Sequence, residues 1–435
     1  MGMEITTLHI CNTLASVICI HIFFPTFFRM TKVQPLFRFV VMLHLFMAAC
    51  FCYAVNSRFS SSSETDVEEV LKRLNKPPVK SIKSPDGDII DCVNIYHQPA
   101  FDHPLLKKHT IQMKPDYLPN SINVEGIKVS SMMNASKYEP SFTQLWHSNG
   151  KCPKGTIPIR RTKKEDLLRA SFSVSCAKKK PLSIARHYII DNELDDVQGQ
   201  LEYASAYILG NGNLYGTKAT LNTWNPKVDR DDEHSMAQVW IVGCFSNANA
   251  VEDVNTMEAG WHVYPGLYGD ANTRLFIYWT RDGSKTTGCF NLQCSGFIQT
   301  NNKIALGGSV VKGGDNWWMQ VDGETVGYWP KSLFSHLCES ASLIEWGGEV
   351  ANFSPDHHTT TQMGSGQLPK QGFRKASYIR NIQTVDESNY LRSPDNLNTA
   401  TDDSCSYDIS KHFKNDDYWG THIFYGGTFQ NIICH

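Results

Sequence analysis

Two short segments of the sequence place carboxylates where they could act as acid and base. Thr256–Trp261 contains Glu258, and Ile344–Val350 contains Glu345 and Glu349. Both segments consist mainly of glycine, tryptophan and aliphatic residues. A carboxyl group held against an indole in an apolar groove has its charged form disfavoured, so its pKa rises, and two such groups can divide into an acid and a base. The spacing alone leaves open that these are solvent-facing glutamates of strands.

Motifs of other enzyme classes are missing from the sequence. His-Glu-x-x-His, the common signature of zinc proteases, does not occur, nor does the Gly-x-Ser-x-Gly turn of serine hydrolases. There is no Cys-x-x-Cys pair and no glycine-rich phosphate loop. His357 and His358 stand together without a third ligand nearby, which is more typical of surface imidazoles than of a metal site. The sequence therefore predicts neither a metal nor a cofactor.

The glutamates lie in a region with the pattern of an all-β domain. From about Glu202 onward, short stretches alternate polar and apolar residues, and Gly, Asn, Asp and Pro separate them. The stretches are Tyr215–Leu221, Ala237–Val242, Thr273–Trp279, Gly296–Gln299, Thr325–Trp329 and Ala376–Ile382. Such period-2 runs, with turn residues every ~8–12 positions, predict an antiparallel β-sandwich. Only Ser332–Ser342 in this region, and Val67–Leu74 ahead of it, have a helical pattern.

Composition excludes several classes of protein. The chain has 435 residues, and its 41 Lys and Arg against 43 Asp and Glu give a net charge of −2, so a nucleic-acid partner has no support. The 10 Trp, 17 Tyr and 22 Phe can bury enough surface to fold, which excludes disorder over the whole chain. The length predicts two or three folded units.

Residues 1–55 have the features of a targeting segment. Two apolar runs occur there, with basic residues before the second run and a polar stretch after it. This order is typical of a secretory signal peptide, for which Met30 is a candidate start. A retained signal anchor stays open, although neither run cleanly reaches the ~20 apolar residues that a spanning helix needs. No stable membrane anchor is expected.

Many motifs of the chain resemble those of the neprosin family of plant proteins, over about residues 80–435. In the sandwich region these are the segments around Glu258 and Glu349 and, in addition, Asn272–Thr280, Gly288–Cys294, Gly327–Pro330, Thr361–Gly366 and Tyr425–Gly427. Upstream, Gly87–Met113 and Gly155–Arg161 resemble the activation peptide of that family.

The resemblance implies a mainly β zymogen, in which a smaller α+β pro-segment precedes an antiparallel β-sandwich catalytic domain. We expect a targeting segment over 1–55, an activation peptide with a processing linker over 56–195, and the catalytic domain over 196–435. A secreted, extracellular or vacuolar monomer is implied.

Family members of known activity are glutamic peptidases that cut after proline at acidic pH, with two glutamates and no metal. Carried over to this sequence, the catalytic pair falls on Glu258 and Glu349, and Glu345 in the same motif is the reserve candidate. The implied substrate is a proline-containing peptide or protein.

The chain departs from the family pattern before Trp317. Family members usually carry a longer insert with another strand there, whereas only Ser309–Asn316 is present here. Either the sheet is shortened, which would expose neighbouring strand edges, or the gene model has lost an exon. Activity is therefore left open. The alternatives are a catalytically silent sandwich that binds a peptide or cell-wall glycan, and a glycosidase, because paired carboxylates also cleave sugars.

The 13 cysteines and two sequons fit a secretory route. Three disulfides are expected from family positions and from location in the pro-segment: Cys289–Cys294, Cys405–Cys434 and Cys92–Cys152. Cys244 and Cys338 are expected to be buried thiols. Asn134 and Asn352 are the glycosylation candidates.

Three histidines suggest how the pro-segment responds to acid. His97, His103 and His109 lie in the Pro- and His-rich stretch of the pro-segment, and each gains a charge near pH ~6.5 if unperturbed. We expect the pro-segment to cover the catalytic groove until acid weakens contacts made by the neutral imidazoles.

Overall fold

The structure is a computed structural model, and it describes residues 67–121, 143–172, 200–243, 254–306, 309–313, 316–353, 358–414 and 418–429. The chain divides into two units, Met1–Glu69 and Val70–His435. The described part of the first unit is the start of helix α1, which covers residues 67–74 as the sequence predicts. The remaining elements belong to the second unit. Among the described residues, no helix has the length and hydropathy to span a membrane.

The region ahead of the sandwich contains a three-stranded antiparallel sheet and short helices. The sheet has the order β1 (Pro78–Lys83), β2 (Ile89–Asn94), β4 (Thr156–Arg160). Helix α2 (Lys164–Phe172) follows it, and 3₁₀ turns occupy Ile95–His97, Pro99–Asp102, Pro104–Leu106 and Leu145–Asn149. Proline begins two of these turns, where its fixed φ is compatible and its missing N–H is not needed.

A seven-stranded antiparallel sheet forms one layer of the sandwich. Its order is β10 (Cys289–Phe290), β9 (Arg274–Thr280), β8 (Asn255–Val263), β7 (Ser235–Gly243), β15 (Ala341–Asn352), β5 (Gln200–Leu214), β18 (Asn398–Thr401). The short helix α3 (Pro265–Tyr268) connects β8 to β9. The central strands are long, and their side chains are buried on both faces. This sheet can therefore hold the side chains of a site in fixed positions.

Two smaller sheets form the second layer. The first has the order β11 (Ile298–Gln299), β14 (Glu324–Pro330), β13 (Asn316–Val321), β12 (Ser309–Gly313). The second has the order β19 (Tyr407–His412), β20 (His422–Gly427), β16 (Ser377–Val385), β17 (Tyr390–Arg392), β3 (Asn120–Ser121), and β6 (Thr217–Leu221) also pairs with β16. Single 3₁₀ turns lie at Lys331–Leu333 and Pro369–Gln371. One buried cluster joins Trp346 of the large sheet to Trp329 and Ile423 of the smaller ones.

The predicted strands are present, but the predicted helix Ser332–Ser342 is wrong. Only its first residues make a 3₁₀ turn, and strand β15 already begins at Ala341. The side-chain oxygen of Asn255 accepts hydrogen bonds from the backbone N–H groups of Ser335, His336 and Leu337, at 3.0, 2.7 and 3.3 Å. These donors are therefore not available for a helical ladder.

The shortened stretch before Trp317 forms a strand. Residues Ser309–Gly313 pair antiparallel with β13 and lie at the end of the four-stranded sheet. Among the described residues, β12 pairs only with β13 and is therefore the end strand of this sheet.

Candidate active site

All three candidate glutamates lie on one face of the seven-stranded sheet. Strand β7 runs between β8 and β15, and its Trp240 is in register with Glu258 on one side and Glu345 on the other. Glu349 follows Glu345 by four residues on the same strand, so the alternation of side chains turns both to one face. All three are buried: Glu258 is 2% exposed, and Glu345 and Glu349 are 0% exposed.

The opposite face of the same strands anchors them in the core. Ala259 and Trp346, each next to a glutamate in sequence, belong to the main buried cluster. The indole N–H of Trp346 donates to the Thr217 hydroxyl at 3.2 Å, so its polar atom is satisfied there. The mixture of carboxylate and apolar residues in both motifs thus follows from strands buried on both faces.

The glycines of the two motifs make room for Gln238 between the strands. Gly260 and Gly347 are in register with Gln238 on either side of it. A Cβ at Gly260 would lie 2.0 Å from the carbonyl oxygen of Ala237, and one at Gly347 would lie 2.4 Å from that of Ala204. Any larger residue at either position would push the strands apart.

Two side chains hold Glu349. His234 Nε2 lies 2.9 Å from Glu349 Oε1, and the Gln238 amide donates to Oε2 at 3.0 Å. Both partners are buried, with His234 at 3% and Gln238 at 0% exposure. When His234 Nε2 carries a proton, both Glu349 oxygens accept a hydrogen bond, and such bonds stabilise the negative charge of a carboxylate.

Glu345 has the opposite environment. Burial raises the pKa of Glu345 to about 8, the Ser205 hydroxyl offsets part of this, and Glu349 and Glu258 raise the pKa further. Neither oxygen of Glu345 makes a hydrogen bond of good geometry, and the buried indole N–H of Trp240 also has no partner among the described residues. The Glu345 carboxyl is therefore protonated at neutral and acidic pH, next to polar groups that are not satisfied.

Tyr203 lies within the electrostatic field of all three glutamates. It is in register with Glu349 on strand β5 and is 4% exposed. Burial raises the pKa of the Tyr203 phenol well above 10, and Glu349, Glu258 and Glu345 raise it further. The phenol consequently stays protonated and can donate a hydrogen bond beside the carboxylates.

Sequence reasoning found the glutamates and missed His234, Gln238 and Tyr203. Gln238 lies within a stretch that the alternation predicted as a strand, but nothing local marks it as a partner of a residue far along the chain. His234 directly precedes that strand, and Tyr203 lies near the start of β5. Only the pairing of β5, β7 and β15 brings these residues together.

One other group brings together side chains of the kind that bind metals. Ligand atoms of Glu202, His358 and Asp403 lie within 4.8 Å of one another. However, His358 Nε2 is 2.9 Å from Glu202 Oε2, and its Nδ1 is 2.9 Å from the carbonyl oxygen of Thr359. Both ring nitrogens of His358 thus already lie within hydrogen-bonding distance of an oxygen atom of the protein. His357 lies outside the described residues.

The cysteines form disulfides within each part of the chain. Cys92 is bonded to Cys152, and Cys289 to Cys294. Cys405 is also disulfide-bonded. Its expected partner Cys434 lies outside the described residues, and so does Cys244, a candidate thiol. Cys338 is a free cysteine, and the expectation that its thiol is buried is wrong, because the residue is half-buried.

Of the two glycosylation candidates, only Asn352 lies among the described residues. Asn134 lies outside the described residues. Asn352 ends strand β15 and is half-buried, and its amide donates to Glu202 Oε1 at 3.0 Å. A glycan on Asn352 would have to replace that hydrogen bond.

Two protein-family models match the chain. The model described as the neprosin activation peptide matches residues 81–207, which ends inside strand β5. The model described as neprosin matches residues 231–313 and 310–428. The two neprosin matches overlap at residues 310–313, within the stretch Ser309–Asn316 that was expected to be shorter than the family pattern. The residues matched by the neprosin model include Glu258, Glu345 and Glu349.

Proposed function

Because the chain belongs to the neprosin family, whose activation peptide and catalytic domain form a protease zymogen, we propose that it is a glutamic endopeptidase that cuts after proline at acidic pH. We further propose that Glu258 and Glu349 are the catalytic pair, and that the protein is secreted. The observation that carries the proposal is that Glu258, Glu345 and Glu349 lie buried together on one face of the seven-stranded sheet.

The environments of the glutamates suggest their roles. Glu349, bound through both oxygens, suits the base that draws a proton from water as the water attacks the scissile carbonyl. Glu258 then acts as the acid, which polarises the carbonyl oxygen and gives a proton to the leaving amine. Glu345, with a pKa of about 8, is the reserve for the acid role, since it carries a proton at acidic pH. Tyr203 supplies a further donor for charge that develops on the carbonyl oxygen.

Replacement of each glutamate by glutamine tests the pair. Glutamine keeps the shape and removes the titration, so Glu258→Gln and Glu349→Gln should each lower the rate by about 10²–10⁴-fold on a proline-containing fluorogenic peptide. The assay uses processed enzyme in acidic buffer, with and without a chelator, which should have no effect. Glu324→Gln is the matched control, because Glu324 is exposed and forms its ion pair with the exposed Lys303 on the surface.

Three outcomes separate the assignments. Full activity of Glu258→Gln contradicts the glutamic mechanism. Full activity of Glu349→Gln with loss in Glu345→Gln moves the second role to Glu345. If the unmutated enzyme is folded and processed but cuts no proline peptide, the catalytically silent binding module replaces the peptidase.

A further inference from the structure

The described pro-segment is part of the hydrophobic core of the sandwich. Ile95, Ala100 and Leu106 of this segment belong to the same buried cluster as Phe297 and Trp329 of the sandwich. Ala100 and Leu106 are 0% exposed. Apolar burial of this kind stabilises by about 25 cal/mol per Å² and carries no charge that pH could change.

Two glutamines of the pro-segment bind the backbone of the sandwich in the manner of a neighbouring strand. Gln98 Oε1 accepts from the N–H of Gln299 at 2.8 Å, and its amide donates to the Gln299 carbonyl at 3.1 Å. Gln144 repeats the pattern at Ala305, at 2.7 and 3.0 Å. Gln98 and Gln299 are 1% and 0% exposed, so their hydrogen bonds are shielded from water. Neither amide titrates.

A buried ion pair joins the two parts next to a cavity of about 410 Å³. Asp88 of the pro-segment binds Arg274 of β9 at 2.5 Å and Arg160 of β4 at 2.9 Å. Arg274 also pairs with Asp270, and Arg160 with Asp166. Asp88 and Asp166 leave with the pro-segment, whereas Arg274 and Asp270 stay, so separation breaks the Asp88–Arg274 contact. Each side chain keeps a second partner after separation, Arg160 for Asp88 and Asp270 for Arg274, so the cost of separation is the loss of the Asp88–Arg274 attraction itself.

From these contacts we infer that Pro78–Phe172 stays bound to the sandwich as a non-covalent subunit after the chain between Phe172 and Gln200 is cut. The partner of this surface is thus the protein's own released pro-segment. The two disulfides with both cysteines described lie one within each part, Cys92–Cys152 and Cys289–Cys294, and do not bridge them. Cutting the chain and losing the pro-segment are therefore separate events. The inference does not depend on the catalytic roles proposed above.

Acid weakens the interface in two steps. Burial lowers the pKa of His109, which contacts the Tyr328 hydroxyl at 2.8 Å, and burial and Arg281 lower the pKa of His103. Because the bound form of each histidine holds its proton less tightly than the free form, binding weakens as pH falls below about 6.5. Exposed His97 makes no contact of this kind among the described residues.

The second step belongs to Asp88. Burial raises the pKa of Asp88, but Arg160 and Arg274 outweigh it and hold the pKa below 3.8. Docked Asp88 therefore binds its proton less tightly than it would without Arg274. The Asp88–Arg274 pair stabilises the complex fully above about pH 3.8, and this stabilisation is lost as pH falls through the lowered pKa of Asp88.

The test separates cutting from release. A recognition site for a specific protease is placed between Phe172 and Gln200 of the full chain in a Glu258→Gln background, and mass spectrometry confirms that the chain is intact before the protease is added. After cutting at about pH 7, we expect both fragments in one gel-filtration peak and in one complex by native mass spectrometry. Non-reducing denaturing electrophoresis should show them apart. Separate peaks at neutral pH, or a covalent link under non-reducing conditions, would overturn the inference.

Variants of the interface measure its strength. Arg274→Gln should raise the dissociation constant of the cut complex by about tenfold or more, and the matched Arg230→Gln should not, since Arg230 pairs on the surface with Asp232. Tyr328→Phe keeps the ring and removes the hydroxyl that binds His109 and the backbone of Gln112. It should raise the constant by about 3–10-fold even if Arg274→Gln does not fold. Unchanged constants in both variants, or equal retention at about pH 3 and pH 7, would contradict the interface as described.

Discussion

Glu345 should make the stability of the precursor depend on pH in a direction opposite to that of an ordinary paired carboxylate. Its folded pKa is raised from 4.5 to about 8, so between these values the native state binds the proton more tightly than the unfolded state. The free energy of unfolding therefore falls as pH rises through this window. Glu345→Gln removes the titration and should flatten the dependence.

The size of the effect follows from the shift. One pKa unit corresponds to about 1.4 kcal/mol, so the contribution of Glu345 falls by at most about 5 kcal/mol as pH rises from 4.5 to about 8. Glu349 and Glu258 interact electrostatically with Glu345, so the three titrations are coupled. The change in the free energy of unfolding therefore extends over a wider range of pH. The difference between the two proteins, measured at each pH, cancels all groups that titrate equally in both.

The assay is urea unfolding of the intact precursor at several pH values between 4.5 and 8, the window set by the Glu345 pKa. Mass spectrometry confirms that no self-cleavage has occurred. Glu345→Gln should match the wild type at the acidic end and become the more stable protein toward neutral pH. The control Glu324→Gln should differ by less than about 1 kcal/mol throughout. Parallel curves for wild type and Glu345→Gln would refute a buried, protonated Glu345.

Two further predictions concern the support of the site and the disulfides. His234→Gln removes the ring that binds one oxygen of the base, so the acid limb of the rate–pH profile should move to higher pH while the enzyme stays folded; an unchanged profile would show that His234 only fills space. Removal of Cys92–Cys152, which closes 60 residues, should lower the free energy of unfolding by about 4 kcal/mol, against about 2 kcal/mol for the five-residue Cys289–Cys294 loop. Equal losses would contradict the loop-entropy account.

The sequence determined the parts of this protein that depend on local chemistry. Alternating polarity located the strands, since the two faces of a strand repeat every second residue wherever the chain goes. The spacing of Cys289 and Cys294 made them candidates for a disulfide, which is present. The predicted helix Ser332–Ser342 was wrong because its backbone donors bind Asn255, about 80 residues away in the chain.

Only the tertiary structure decided which residues share the site. His234 and Gln238 lie 115 and 111 residues from the carboxylate that they bind, so no local pattern connects them. The register of β7 between β8 and β15 places Trp240 between Glu258 and Glu345, and among the described residues neither oxygen of the buried Glu345 carboxyl has a hydrogen bond of good geometry. Register depends on the pairing of whole strands, and a slip of one residue would turn every one of these side chains to the opposite face.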